Sequence, residues 1–134
     1  TEAQHYRRYV AQRRKAHPAE RAAAPSNLIA RQAGINDGKG FLFVSHTGEI
    51  FPSGFLEISA GNVRRTSLAE AYRRSPLFVA LRNSDELEGK CGACEYRNLC
   101  GGSRSRAYAL TGDYLASDPR CVYQPVAATP AAGH

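Results

Sequence analysis

The four cysteines of the chain, Cys91, Cys94, Cys100 and Cys121, stand at C-x2-C-x5-C-x20-C and limit the possible folds more than any other feature. A C-x2-C pair lets one tight turn aim two sulfurs at a single place. Cys100 can return across a short loop, and Cys121 must be brought back by the fold. Four thiolates gathered in this way suit a cubane [4Fe-4S] cluster or a tetrahedral zinc ion. Zinc sites built from four cysteines usually show a second C-x2-C. That second pair is missing here, which tilts the balance toward the cluster. Disulfides are the third option; four cysteines allow three pairings, but no signal-peptide pattern marks the chain as secreted.

A chain of 134 residues reads as one compact domain. Such a chain can bury roughly two-thirds of its unfolded surface. Its apolar content leans on alanine, so a small core helped by a metal site is expected. No apolar stretch approaches the roughly 20 residues of a membrane span, and the cytoplasm is the expected compartment. The chain begins at Thr1 and contains no methionine, which reads as a piece of something longer. The net charge of +6 raises the question of nucleic acid. The clusters Arg7-Arg8, Arg13-Arg14-Lys15, Arg64-Arg65 and Arg73-Arg74 are not interleaved with stacking aromatics, so solvated helix faces are the better reading. Near the cysteines, Lys90, Arg97, Arg104, Arg106 and Arg120 could offset the negative charge of a thiolate-bound cluster and raise its potential.

The expected fold class is α+β: a small β-hairpin, then helices and a cysteine-rich metal-binding loop region. Residues 1–17 read as a helix with a Tyr6, Tyr9, Val10 stripe, ended by Pro18. Residues 18–40, with Pro18, Pro25 and several glycines, read as a linker. Phe41–Ser45 and Glu49–Phe51 read as paired strands around His46-Thr47-Gly48, with Phe55–Ile58 beneath them. Ser67-Leu68-Ala69-Glu70 has the form of a capping box, and Ser75-Pro76 opens a second helix. Ser103–Leu110 reads as a helix whose N-terminus would face an anionic centre. Asp118-Pro119 turns the chain toward Cys121, and 124–134 reads as a disordered tail.

The run Cys-Gly-Ala-Cys-Glu-Tyr-Arg-Asn-Leu-Cys-Gly-Gly-Ser-Arg-Ser-Arg-Ala-Tyr-Ala-Leu-Thr-Gly-Asp from Cys91, followed by Asp118-Pro119-Arg120-Cys121, resembles the auxiliary-cluster domain of radical SAM enzymes. That domain is called SPASM, or twitch in its single-cluster form. The hairpin Phe43 to Pro52, then Gly61-Asn62-Val63 and Ser67 to Tyr72, follow in the family's order. Thr1 to Arg8 is similar to the segment after the last strand of a radical SAM barrel. The Gly-Gly-x-Arg-x-Arg-Ala-Tyr run is nearer the heme and heme d1 branch than the peptide-modifying maturases.

The resemblance implies residues 1–17 as a helix trailing an absent barrel, 18–40 as a linker and 41–123 as the auxiliary domain. It implies Cys91, Cys94, Cys100 and Cys121 as ligands of one auxiliary [4Fe-4S] cluster that relays electrons and caps the barrel. It further implies a tetrapyrrole or peptide substrate for the parent oxidoreductase, with SAM bound only in the absent N-terminal part. Ser53 and Ser103 stand where two-cluster relatives carry cysteine, which implies the single-cluster form. The C-x3-C-x2-C motif of the SAM-cleaving cluster does not occur in these residues, so no activity is expected of them alone. The rival from another class is a structural zinc module on a basic domain that binds RNA or a protein.

Overall fold

A computed structural model describes residues 3–18 and 36–126. Helix α1 spans Ala3–Ala16, and strands β1 (Phe43–Val44) and β2 (Ile50–Phe51) form an antiparallel hairpin. Helices α2 (Leu68–Arg74) and α3 (Pro76–Arg82) follow, then a 3-10 turn at Ser84–Glu86. A single helical turn, α4 (Gly89–Gly92), carries Cys91, and α5 (Arg104–Thr111) comes after Cys100. The α+β class is therefore observed. No helix among the described residues is long and apolar enough to cross a membrane.

The strands are shorter than the composition implies. Phe43 pairs with Phe51 and Val44 with Ile50. Before them, the Gly40 amide donates to the Tyr72 hydroxyl at 2.9 Å and leads the chain away from the ladder. Beyond them, Pro52 has no N–H to continue it. Glu49 instead bridges to Asn62.

Pro76 at the first turn of α3 and the extended Ser75 before it separate α2 from α3. The expected capping box fails in detail: the Ser67 hydroxyl makes no capping bond, and its carbonyl accepts from the Ala71 amide at 2.9 Å. Ser103 does cap α5, accepting from the Arg106 amide, and Gly112 closes that helix in the left-handed region.

Two small apolar clusters share these elements. Ile50, Ala71 and Phe78 form one, with Leu42, Ala60 and Tyr72 against it. Leu56, Leu77 and Leu81 form the other, with Ile58 and Tyr114 alongside. Of the segment expected beneath the hairpin, Leu56 is fully buried but Phe55 is 80% exposed. Phe78 is fully buried and its ring lies 5.4 Å from that of Tyr72. With so little core, Phe78→Ala is expected to cost about 3–5 kcal/mol. A urea titration checks this; a loss under about 1 kcal/mol would mean the site collapses around the cavity.

Of the Tyr6, Tyr9, Val10 stripe on α1, Val10 is half-buried, whereas Tyr6 and Tyr9 are 66% and 53% exposed. The helix is held by its polar face, because its partners, Asp118 and Tyr123, are themselves polar. Of the segment read as linker, 19–35 lies outside the described residues, and Asn36 and Asp37 are buried. Of the expected tail, 127–134 likewise lies outside them, whereas Pro125 is fully buried.

Candidate metal centre

Cys91, Cys94, Cys100 and Cys121 line one open cavity, together with Arg8, Lys90, Tyr96, Arg97, Tyr123 and Pro125. All four cysteines are free thiols, so none of the possible disulfides forms. Cys91 is buried and the other three are half-buried.

Local sequence explains how each sulfur arrives. The Ser117 hydroxyl accepts from the Lys90 amide at 2.7 Å and fixes the start of α4, and so Cys91. Gly92 then lets the turn close tightly, since a Cβ there would fall 2.0 Å from the Leu87 carbonyl oxygen. A run of turns delivers Cys94 and Cys100, with the Cys100 amide donating to the Tyr96 carbonyl at 2.8 Å. Gly102 has φ +64°, and a Cβ there would meet Asp118 at 2.9 Å and the Cys91 sulfur at 3.1 Å. The Cys121 amide bonds the Asp118 carbonyl, and the Lys90 ammonium donates to the Cys121 carbonyl.

N–H groups already face the sulfurs. The Asp118 amide donates to Cys91 Sγ at 3.3 Å and the Tyr96 amide to Cys94 Sγ at 3.4 Å. Arg104 Nη2 lies 3.5 Å from Cys91 Sγ. Burial pushes the Cys94 thiol up, and the neighbouring Glu95 carboxylate adds to this against the Tyr96 amide. Burial pushes the Cys100 thiol up as well, opposed by the Gly102 amide. A metal binding these sulfurs must therefore displace protons.

The five cations expected to balance the site have separate fates. Arg97 pairs with Asp85 at 3.0 Å on the surface. Arg106 forks onto Asp118, and Arg120 is exposed. Lys90 lines the cavity, as Arg97 also does, and Arg104 lies outside that lining but reaches Cys91 Sγ. The anions bonded at the N-terminus of α5 are carboxylates rather than the sulfurs. The Ser105 amide donates to Asp37 at 2.8 Å, and that of Ser103, the cap, donates to Asp118 at 2.9 Å.

Asp118 is a hub that sequence reasoning missed. Its fully buried carboxylate accepts from Arg106, Ser103 and Arg120, and meets His5 of α1 at 3.2 Å. Burial alone would push this carboxyl up; the Arg106 guanidinium and the two amides outweigh it and hold it well below the usual carboxylate range. Asn36, also missed, donates to the Gly102 carbonyl at 2.7 Å. The only available signals were Asn36-Asp37-Gly38 and Asp118-Pro119, which read simply as turns. At the rim, the Arg8 guanidinium sits 4.6 Å above the Tyr123 ring. The Tyr123 hydroxyl donates to Glu95; that bond, helped by partial desolvation, pushes the tyrosine up to about 12.

Ser53 and Ser103 have structural duties. The Ser53 hydroxyl accepts from the amides of Phe55 and Leu56, both at 3.1 Å. Ser103 is the cap of α5.

Among the described residues, no three His, Cys, Asp or Glu side chains converge as a ready-made site for a metal ion. The four cysteines line one open cavity.

No family model matches the chain. Its relatives nonetheless place it: the chain belongs to the radical SAM enzymes, of which it represents a segment. It is 43% identical over 128 residues to the AdoMet-dependent heme synthase of Nitratidesulfovibrio vulgaris, covering 96% of this chain and 35% of that protein. The pre-heme d1 synthase of Dinoroseobacter shibae is 34% identical over 78% of this chain and 27% of its own length. The PqqA peptide cyclase of Methylocella silvestris is 37% identical over 65% of this chain and 25% of its own length. The chain thus spans about a third of the heme synthase it matches.

Proposed function

We propose that this chain is the auxiliary-cluster segment, of the SPASM or twitch type, of a radical SAM enzyme that modifies a tetrapyrrole. Residues 41–123 would form the cluster domain, α1 would trail the barrel of the parent enzyme, and the setting would be cytoplasmic. Cys91, Cys94, Cys100 and Cys121 would hold one [4Fe-4S] cluster. The observation that carries this reading is the gathering of four free thiols around one cavity in a chain so similar to a heme synthase. A cluster with four cysteine ligands has no open iron and supplies one-electron relay.

The chain's own residues do the rest. Amides of Tyr96 and Asp118 donate to ligand sulfurs. Tyr96 and Tyr123, which both line the cavity, pack edge to face with their rings 5.6 Å apart. His5 and Arg8 tie α1 to the centre, so that a barrel preceding it would be held in register with the cluster. The hydroxyl duties of Ser53 and Ser103 favour one cluster over two.

The test is the iron, sulfide and zinc content of anaerobically purified protein. Four irons and four sulfides per chain are expected. One zinc and no sulfide, persisting after anaerobic reconstitution with iron and sulfide, would overturn the reading.

A further inference from the structure

We infer that Arg104 is the fixed counter-charge of the centre, acting through Cys91, and that it sets the reduction potential. This rests on the four-thiolate reading above. Arg104 is 1% exposed, yet no carboxylate partners it among the described residues. Its Nη1 donates to the carbonyls of Tyr114 and Ala116 at 3.0 and 2.8 Å. Its Nε has no hydrogen-bond partner. Its Nη2 reaches Cys91 Sγ, the one hydrogen-bond partner given for it among the described residues that can become an anion.

A guanidinium does not give up its proton in a protein. Burying one without an opposing charge is costly, and carbonyl dipoles relieve that only in part. The arrangement is consistent once Cys91 is a thiolate in a negatively charged centre. Cys91 is itself only 8% exposed, so the pair is little screened by solvent. Gly102 makes the approach possible, since a Cβ there would stand 2.7 Å from Arg104 Nη2. Of the other nearby cations, Arg106 is paired with Asp118 and Arg97 with Asp85, whereas Lys90 and Arg8 line the cavity, with Lys90 donating to the Cys121 carbonyl and Arg8 lying over the Tyr123 ring. Reduction adds negative charge beside Arg104, so the buried cation favours the reduced state. Arg104 is a positioning residue; nothing here requires it to touch substrate.

The experiment is a potentiometric titration, followed by EPR, of the anaerobically reconstituted protein. Wild type, R104Q, R104K and an exposed control on α2, R74Q, are compared at equal iron content. R104Q should lower the equilibrium constant for reduction about tenfold, a downward shift of about 59 mV for a one-electron couple. R104K, which keeps the charge, should lie closer to wild type, and R74Q should not move. A fully loaded R104Q with the wild-type potential overturns the inference and leaves the cluster reading intact. Zinc without sulfide in the wild type overturns both. Wild-type protein labelled with guanidino-15N arginine guards against a variant that does not fold. Pulsed EPR of its reduced centre should detect a coupled guanidino nitrogen, and its absence overturns the inference.

Discussion

Cys94→Ala is expected to abolish stoichiometric incorporation of a four-iron centre. Cys94 is one of four proposed ligands and the second sulfur of the C-x2-C turn. Its removal leaves three thiols around the cavity and would open one corner of any cluster to solvent. The variant also loses the acceptor of the Tyr96 amide, which bonds the sulfur at 3.4 Å. Metal binding in such a small domain is coupled to folding, so the variant should also unfold at lower denaturant than the loaded wild type. Iron and sulfide analysis after identical anaerobic reconstitution reads the first effect, and a guanidinium titration reads the second. Retention of four irons and four sulfides would remove Cys94 from the ligand set and with it the case for a four-cysteine centre.

That the four cysteines lie around one cavity was legible in their spacing, because sequence-local turns deliver three of them. The helix start at Ser75-Pro76 was legible because a first-turn proline acts locally, and the start after Ser67 falls where it was expected although the Ser67 hydroxyl makes no cap. The framework around the site was not legible. His5 meets Asp118 across 113 positions, Asn36 reaches Gly102 across 66, and Ser105 reaches Asp37 across 68. No periodicity or local motif encodes such pairings. For the same reason, five cations close in sequence to the cysteines looked equivalent. Only the fold separates Arg104, which is buried against a sulfur, from Arg97, which is committed to a surface pair. The tie of α1 was hidden on similar grounds: its apolar stripe leaves Tyr6 and Tyr9 exposed, and His5 meets a carboxylate far along the chain.

That hub carries the second large effect. Asp118→Asn is expected to destabilise the chain by about 3 kcal/mol at pH 7, the lower end of the range for breaking a buried ion pair. The lower end applies because Arg106 is 22% exposed whereas the carboxylate is fully buried. The amide keeps one oxygen for the Ser103 or Arg120 amide, but it cannot accept the two-bond Arg106 fork of 2.9 and 2.7 Å, and it puts an NH2 against donors. The pH dependence follows from the depressed carboxyl of the folded state. Above the unfolded aspartate value near pH 4, both states are ionised and the contribution is complete. Below it the unfolded chain binds a proton that the folded chain still refuses. The advantage of wild type over the variant then shrinks by about 1.4 kcal/mol for each pH unit. Paired urea titrations of the metal-free chains at pH 7, 5, 4 and 3 measure it, with the variant cancelling the other carboxylates. A difference that stays constant down to pH 3 would mean that Asp118 is not held ionised by Arg106 and its amides. The tie from α1 through His5 to the centre would then have to rest on some other group.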